Sequence, residues 1–152
     1  MALSLLVNID VDDLKKGVEF YCAALGLTVG RRFGHDAVEL LGAVSPIYLL
    51  AKPNGTVASA SSRHLRSYAR HWTPVHLDFV VDSVEAAVDQ ARNAGARLEG
   101  QIRTNNWGKI AMLADPFGHG VCLIEFIGRG YDEIATEEKK AGVTPKNTKS
   151  PR

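Results

Sequence analysis

Two stretches of the chain, residues 5–14 and 75–84, repeat the same order of apolar and other positions. In each, apolar residues alternate at the two-residue period of a β-strand. Each run then reaches a residue whose side chain caps helices well, Asp13 in the first copy and Ser83 in the second. The pattern therefore predicts an internal repeat that begins with a strand and continues into a helix.

The helical segments of the two copies have the same design. Apolar residues recur at helical spacing after Leu14 and again after Val84. Each segment ends at a glycine, Gly26 or Gly95, which can take the left-handed conformation that closes a helix. We therefore expect one helix per copy, between the capping residue and the glycine.

Three further strands are expected after each helix. They cover residues 27–32, 37–41 and 46–51 in the first copy and residues 97–103, 109–114 and 120–127 in the second. This gives an α+β fold of two tandem β-α-β-β-β modules. The first strand of each copy has an apolar face, which should pack on the helices, and a mixed opposite face. Curved mixed sheets whose mixed faces surround a cleft are the expected result.

The domain organisation follows from the repeat and from composition. We expect a single domain over residues 1–128 and a charged tail over residues 129–152, part of it a short helix. Two prolines and few apolar residues predict that the last ten residues are disordered. Within the domain, the predicted parts are module one (3–52), a long linker (53–72) and module two (73–128).

Composition narrows the range of partners and locations. Of 152 residues, 45% are apolar and 23% charged, and the formal net charge is +1, so no global charge favours nucleic acid or a membrane surface. No leader peptide or membrane span is apparent. Two distant cysteines do not form a disulfide framework, which favours a reducing compartment. We expect a cytoplasmic protein that binds neither nucleic acid nor membrane.

Several segments resemble the vicinal oxygen chelate superfamily, which includes glyoxalase I, bleomycin- and fosfomycin-resistance proteins and extradiol dioxygenases. The matching segments are residues 11–14, 19–21, 25–27, 75–81 and 115–126, the last beginning Asp-Pro-Phe-Gly. The resemblance covers about residues 3 to 128. It implies the glyoxalase/bleomycin-resistance fold, and it says little about function because one scaffold hosts many chemistries.

The resemblance also implies where a metal would lie. Metal-dependent relatives hold a divalent ion with four inward side chains, usually His, Gln or Glu. Carried over, these positions fall on Leu6, Leu49, His76 and Cys122. Leucine ligates nothing, and Glu125 lies on the other face of the last strand. One imidazole and a possible thiolate do not make a hard-cation site. No metal site and no cofactor are therefore expected.

The mixed faces supply the candidate catalytic and binding residues. His76 is the candidate general base, since imidazole titrates near neutral pH, or else a hydrogen-bonding residue of the pocket. Asp78 shares its face, although side chains two residues apart are expected to be too distant for a firm dyad. Asn8, the repeat equivalent of Asp78, and Asp10 are candidate ligand-binding residues. Asn8 and Asp78 are alternatively a polar pair near the pseudo-twofold axis.

Further ligand-binding candidates lie outside the first strands. Cys122 is either a reactive thiol or an inert buried one. Arg66 and Arg70, with Arg63 at helical spacing in the linker, either clamp a carboxylate or phosphate or form a solvated face. Trp107 either stacks on a planar ligand or is an aromatic of the rim or of a dimer interface.

The function expected from these residues and from the resemblance is small-molecule binding of the glyoxalase, bleomycin-resistance or dioxygenase type, without the usual metal site. Sequestration and metal-independent chemistry are both compatible with it. The alternative is a divalent-metal-dependent lyase or isomerase similar to lactoylglutathione lyase, or a dioxygenase. A homodimer is expected from the resemblance. The ligand, the reaction and whether modules pair within or between chains are left open.

Overall fold

A computed structural model of the chain describes residues 2–71 and 73–136. The elements of module one are β1 (Val7–Val11), α1 (Leu14–Leu25), β2 (Thr28–Phe33), β3 (Ala37–Leu41) and β4 (Ile47–Ala51). Those of module two are β5 (Leu77–Val80), α2 (Val84–Ala94), β6 (Arg97–Asn105), β7 (Gly108–Ala114) and β8 (Gly120–Phe126). A short 3₁₀ helix, Gly130–Glu133, follows β8.

The two modules have the same sheet topology. Each forms a four-stranded sheet, in the order β1-β4-β3-β2 and β5-β8-β7-β6. The first and last strands of each module pair in parallel, and the remaining pairs are antiparallel. The first strand can pair with the last because the helix between them crosses one face of the sheet. The predicted α+β fold of tandem β-α-β-β-β modules is confirmed.

The helix boundaries follow the capping residues. The side chain of Asp13 accepts a hydrogen bond from the Lys16 amide at 2.9 Å, and that of Ser83 accepts one from the Ala86 amide at 3.2 Å. At the other ends, Gly26 and Gly95 have φ of 66° and 118°. These are the left-handed values that glycine adopts without strain.

The apolar faces of both sheets pack against the helices, as the two-residue period predicts. Val11 on β1 and Leu123 on β8 are at most 1% exposed and belong to one continuous core. The helices α1 and α2 also contact each other, and the Gln90 side chain donates to the Ala23 carbonyl at 2.8 Å. The sheets share no strand pairing among the described residues, so the helix pair is the main joint between the modules.

The linker is extended rather than helical. Val57 and Leu65 form an isolated antiparallel bridge, and the Gly55 amide donates to the Arg66 carbonyl at 2.8 Å. The helical spacing assumed for the linker arginines is therefore wrong, because the segment folds back on itself as a loop. The segment predicted to be disordered lies outside the described residues. No helix among the described residues is long and apolar enough to span a membrane.

Candidate functional site

The strand β1 and the start of β5, with the residues that precede them, line a cleft of about 550 Å³. Its first wall comes from residues 5–10 and its second from residues 75–77, with His71, His119 and Tyr21 between them. The position of this cleft follows from the pseudo-twofold repeat, because β1 and β5 occupy equivalent places in their sheets. The cleft therefore lies where the two modules meet, and each module contributes its first strand.

His76 and Asp78 form a close ion-pair contact beside this cleft. The Nε2 atom of His76 lies 3.1 Å from a carboxylate oxygen of Asp78, and both side chains are 38% exposed. The expectation that these side chains are too far apart is wrong. Because β5 begins at Leu77, His76 precedes the pleated segment, and its ring can reach the carboxylate.

Cys122 lies beside Asp78 on the neighbouring strand, at the paired position of β8. Its side chain is buried, at 5% exposure. Burial and, after it, the negative charge of Asp78 raise the pKa of the Cys122 thiol to about 11. The thiol is therefore protonated at neutral pH, which is the state of an unreactive cysteine. A ligand atom from each of His76, Asp78 and Cys122 lies within 4.8 Å of the other two.

Module one has a different set of residues at the equivalent positions. Asn8 on β1 pairs with Tyr48 on β4, as Asp78 pairs with Cys122 in module two. Assigning a former ligand position to Leu49 is therefore wrong. Leu49 is fully buried on the helix side of the sheet, where Gly17 of α1 approaches it. Leu6, the other leucine at such a position, lines the cleft.

A charged network occupies the mixed face of module one. The guanidinium of Arg31 donates to Glu39 at 3.0 and 2.6 Å, and the hydroxyl of Tyr48 donates to Glu39 at 2.9 Å. Hydrogen bonds from the Arg31 side chain and amide hold the pKa of the Glu39 carboxyl at about 2. This network could not be predicted from the sequence, because a β-bulge in β2 decides which residues of β2 lie opposite β3.

The four-ligand arrangement of the resembling metal proteins does not fit these residues. Leu6, Asn8 and Tyr48 are the module-one equivalents of His76, Asp78 and Cys122. The nearby Glu39 is already bound by Arg31. Within residues 2–71 and 73–136, the one group of donors is in module two, where one imidazole, one carboxylate and one thiol come together. Such a mixed set with sulfur suits zinc better than magnesium or calcium.

Asp10 and Arg66 bind each other at the rim of the cleft. The Nε atom of Arg66 donates to Asp10 at 2.7 Å, and its other nitrogens donate to the linker carbonyls of Val57 at 2.6 Å and Ala58 at 3.3 Å. The Arg66 side chain is only 16% exposed. In this arrangement Arg66 attaches the linker to β1. Its predicted role as a clamp for a ligand anion stays a prediction.

Arg70 lies at the edge of a smaller pocket of about 60 Å³. This pocket is also lined by His71, His76 and Cys122, so it continues from the cleft toward the buried thiol. The guanidinium of Arg70 donates to Glu99 of β6 at 2.8 Å, and this bond raises the pKa of Arg70. Arg70 is thus placed beside the predicted site with part of its hydrogen-bonding capacity already used.

Trp107 lies apart from the cleft. Its ring packs against Tyr131 with centroids 5.0 Å apart and against Phe126 at 6.4 Å. It is not among the residues that line the cleft or the smaller pocket. This position does not support stacking on a ligand in this cleft, and the alternative role as an aromatic of the rim or of a dimer interface stays a prediction.

Two further histidines join the linker, the second module and β1. Nε2 of His71 lies 2.8 Å from Nδ1 of His119, and Nε2 of His119 lies 2.7 Å from the Asp10 carbonyl oxygen. Neither histidine is among the candidate residues that the sequence pattern singles out. No sequence pattern could reveal the contact, because His71 reaches His119 through an irregular segment.

Comparison with known proteins assigns this chain to a family. Residues 6–124 match the family model described as a glyoxalase-like domain. The chain belongs to the glyoxalase-like domain family. A relative of this glyoxalase-like protein is the uncharacterized protein Mb0911c of Mycobacterium bovis, with 27% identity over 137 residues that cover 88% of each chain.

Solved structures share the glyoxalase-like fold. A glyoxalase/bleomycin resistance protein/dioxygenase family enzyme from Burkholderia phytofirmans aligns with a TM-score of 0.61 and 20% identity, over 80% of this chain and 97% of that one. The genomically encoded fosfomycin resistance protein FosX from Listeria monocytogenes aligns with a TM-score of 0.63 and 15% identity, over 84% and 95%. At these identities the likeness shows the fold alone, and the chemistry has to be argued from the residues.

Proposed function

We propose that this glyoxalase-like protein binds a small molecule in the cleft between its modules. The single observation that supports the proposal is the cleft itself, whose volume of about 550 Å³ lies in the range of small-molecule sites. Its walls combine apolar residues such as Leu6 and Val75 with a few polar groups. Such a lining typically buries an apolar ligand and orients it through a small number of hydrogen bonds.

The polar groups of this cleft suit recognition and acid–base chemistry. The carboxylate of Asp78 lies 3.1 Å from Nε2 of His76, close enough to help orient the imidazole, as carboxylates do in many enzymes. Asn8 faces the cleft from the opposite wall and offers both a donor and an acceptor. We therefore assign the ligand a polar group near His76 and an apolar body along the walls.

A homodimer is part of the proposal. Several apolar side chains on the mixed faces of the sheets are exposed to solvent, and exposed apolar faces of this kind favour association. They are Phe33, Leu41, Val80, Met112 and Phe126. Analytical ultracentrifugation should show a dimer that Val80→Lys and Met112→Lys weaken. A wild-type chain that sediments as a monomer at micromolar concentration would contradict this part.

The binding proposal is tested with His76→Ala and a matched control, His35→Ala, which removes an exposed histidine outside the cleft. Bleomycin serves as the first probe, followed by a library of aromatic compounds, with binding measured by calorimetry in EDTA. We expect a ligand that binds wild type and His35→Ala equally and His76→Ala at least about tenfold more weakly. Binding unaffected by His76→Ala, or no ligand in the whole library, would contradict the proposal.

One observation favours a second candidate, a divalent-metal-dependent lyase or dioxygenase. It is the cluster of His76, Asp78 and Cys122, whose ligand atoms lie within 4.8 Å of one another. Elemental analysis of the dialysed protein and thermal-shift titrations with Zn, Ni, Mn and Fe salts test it. Stoichiometric metal that is lost in Cys122→Ser would support the metal enzyme. Absence of metal and of any saturable thermal shift would leave metal-independent binding.

A further inference from the structure

We infer that His71 is a proton-accepting residue of the cleft, with Nδ1 as the accepting atom, and that His119 is the positioning residue that fixes its tautomer. The inference rests on the proposed function, since it assumes that ligands enter this cleft. His71 lines both the cleft and the smaller pocket behind it, together with His76. It would therefore give the cleft a second proton-accepting imidazole besides His76.

The hydrogen bonds determine which nitrogen of each ring carries a proton. The Asp10 carbonyl can only accept, so Nε2 of His119 must donate to it across 2.7 Å. Nδ1 of a neutral His119 is then an acceptor, and the donor facing it at 2.8 Å must be Nε2–H of His71. A neutral His71 consequently keeps its lone pair on Nδ1.

This arrangement survives protonation of His71. When a ligand group X–H gives up its proton, the X–H bond breaks, an Nδ1–H bond forms, and His71 becomes an imidazolium while the ligand becomes an anion. The Nε2–H bond to His119 is present before and after the transfer. His119 cannot accept a proton on Nδ1 in the same arrangement, because its new N–H would then face the Nε2–H donor of His71. His119 thus orients the base as a carboxylate does elsewhere, without carrying a charge.

The surroundings keep His71 ready to accept. Burial lowers the pKa of His71, and the nearby His119 and Arg70 lower it further, while Asp115 opposes them weakly. At neutral pH the ring is therefore uncharged. Its backbone is held as well, because the His71 amide donates to the Gly118 carbonyl at 3.1 Å. Among the described residues, no hydrogen bond to Nδ1 of His71 is present.

These features indicate the chemical class of the ligand. An uncharged imidazole accepts a proton most readily from a group whose acidity is matched to its own. The cleft would therefore favour molecules with a weakly acidic O–H, N–H or S–H group near His71 and an apolar body. The anion formed would lie beside the guanidinium of Arg70, which lines the same small pocket.

Long-range ¹H–¹⁵N NMR of the histidine side chains tests the tautomers without any ligand. At pH 7 we expect His71 and His119 both as the Nε2–H tautomer, with His71 titrating below the pH at which N-acetylhistidine amide does. In His119→Phe, which keeps an aromatic ring and removes the acceptor, His71 should become a mixture of tautomers. A wild-type His71 protonated on Nδ1, or one unchanged in His119→Phe, would overturn the inference.

Diethyl pyrocarbonate, which acylates unprotonated imidazole nitrogen, tests whether the lone pair is accessible. Peptide mass spectrometry should find His71 modified at least about tenfold faster than His119, both of whose nitrogens are engaged. A spared His71 would refute its role even if its tautomer were correct. If His71 is not modified but a ligand is found whose binding depends on His76, the role of His71 is refuted and the binding proposal stands. If His71 is modified as expected but no ligand is found, the binding proposal is refuted and the assignment of the His71 lone pair stands.

Discussion

Replacing Tyr21 by phenylalanine removes the hydroxyl that connects α1 of the first module to the Asp115 turn of the second. The hydroxyl donates to the Asp115 carboxylate, and the two residues are 1% and 5% exposed. Burial and the carboxylate both raise the pKa of Tyr21 well above its ordinary value, so the hydroxyl remains a donor at every working pH. Water cannot replace the lost donor at so buried a site without rearrangement.

The size of the effect follows from what Asp115 retains. The carboxylate still accepts from the amides of Phe117 and His119, each at 2.8 Å, so it loses one donor of three. A hydrogen bond to a charged group contributes about 1.5–3 kcal/mol. For a chain of this size, that loss lowers the melting temperature by about 3 to 12 °C. Urea denaturation at pH 7 measures the change in the free energy of unfolding.

The matched control is Tyr68→Phe. The hydroxyl of Tyr68 donates to the Lys52 carbonyl at 2.6 Å, which is a neutral acceptor at a half-buried site. Its removal should cost about 0.5–1.5 kcal/mol. A Tyr21→Phe variant that loses no more than this control would refute the reasoning, as would an undiminished effect of Tyr21→Phe in an Asp115→Ala background.

Three other substitutions test features around the cleft. Glu39 has its pKa lowered to about 2 by Arg31, so its contribution to stability is present above the ordinary value of 4.5 and lost as the pH falls toward 2; the destabilisation by Glu39→Gln in urea should shrink over that range and stay constant from pH 5 to 7. The thiol of Cys122, with a pKa of about 11, should react with a disulfide reagent at pH 8 far more slowly than glutathione does. The reaction should be faster in Asp78→Asn, and equal rates in wild type and variant would contradict a contribution of the Asp78 charge to the raised pKa. Gly118→Ala should cost at least about 1 kcal/mol in thermal and urea unfolding, since φ is +80° and a Cβ would meet the Ala69 carbonyl oxygen at 2.2 Å; an unchanged stability would show that the linker does not dock there.

The sequence predicted the fold well because local signals agree with the tertiary structure. Alternation in β1 and β5 identified their apolar faces, and Asp13, Ser83 and the closing glycines marked both helices. Each of these signals acts within a few residues, so the sequence alone is enough to read it.

The site was less predictable because its contacts join distant segments. His76 and Asp78 were placed correctly on one face, but their contact depends on where β5 begins. The role of Leu49 was assigned wrongly because a short apolar strand has no marker that fixes which face is inward. The contact of His71 with His119 spans 48 positions and an irregular loop, so no periodicity contains it.

The separate sheets also affect how the chain folds. Among the described residues, the eight strands pair only within their own module, whereas the modules meet through the two helices, the Asp115 turn and the linker. Contacts that close over short stretches of chain form early, and docking of preformed units comes later. We therefore expect substitutions at the joint, such as Tyr21→Phe, to accelerate unfolding while leaving the refolding rate nearly unchanged. The cleft between the modules would then be the last part of the molecule to assemble and the first to be lost.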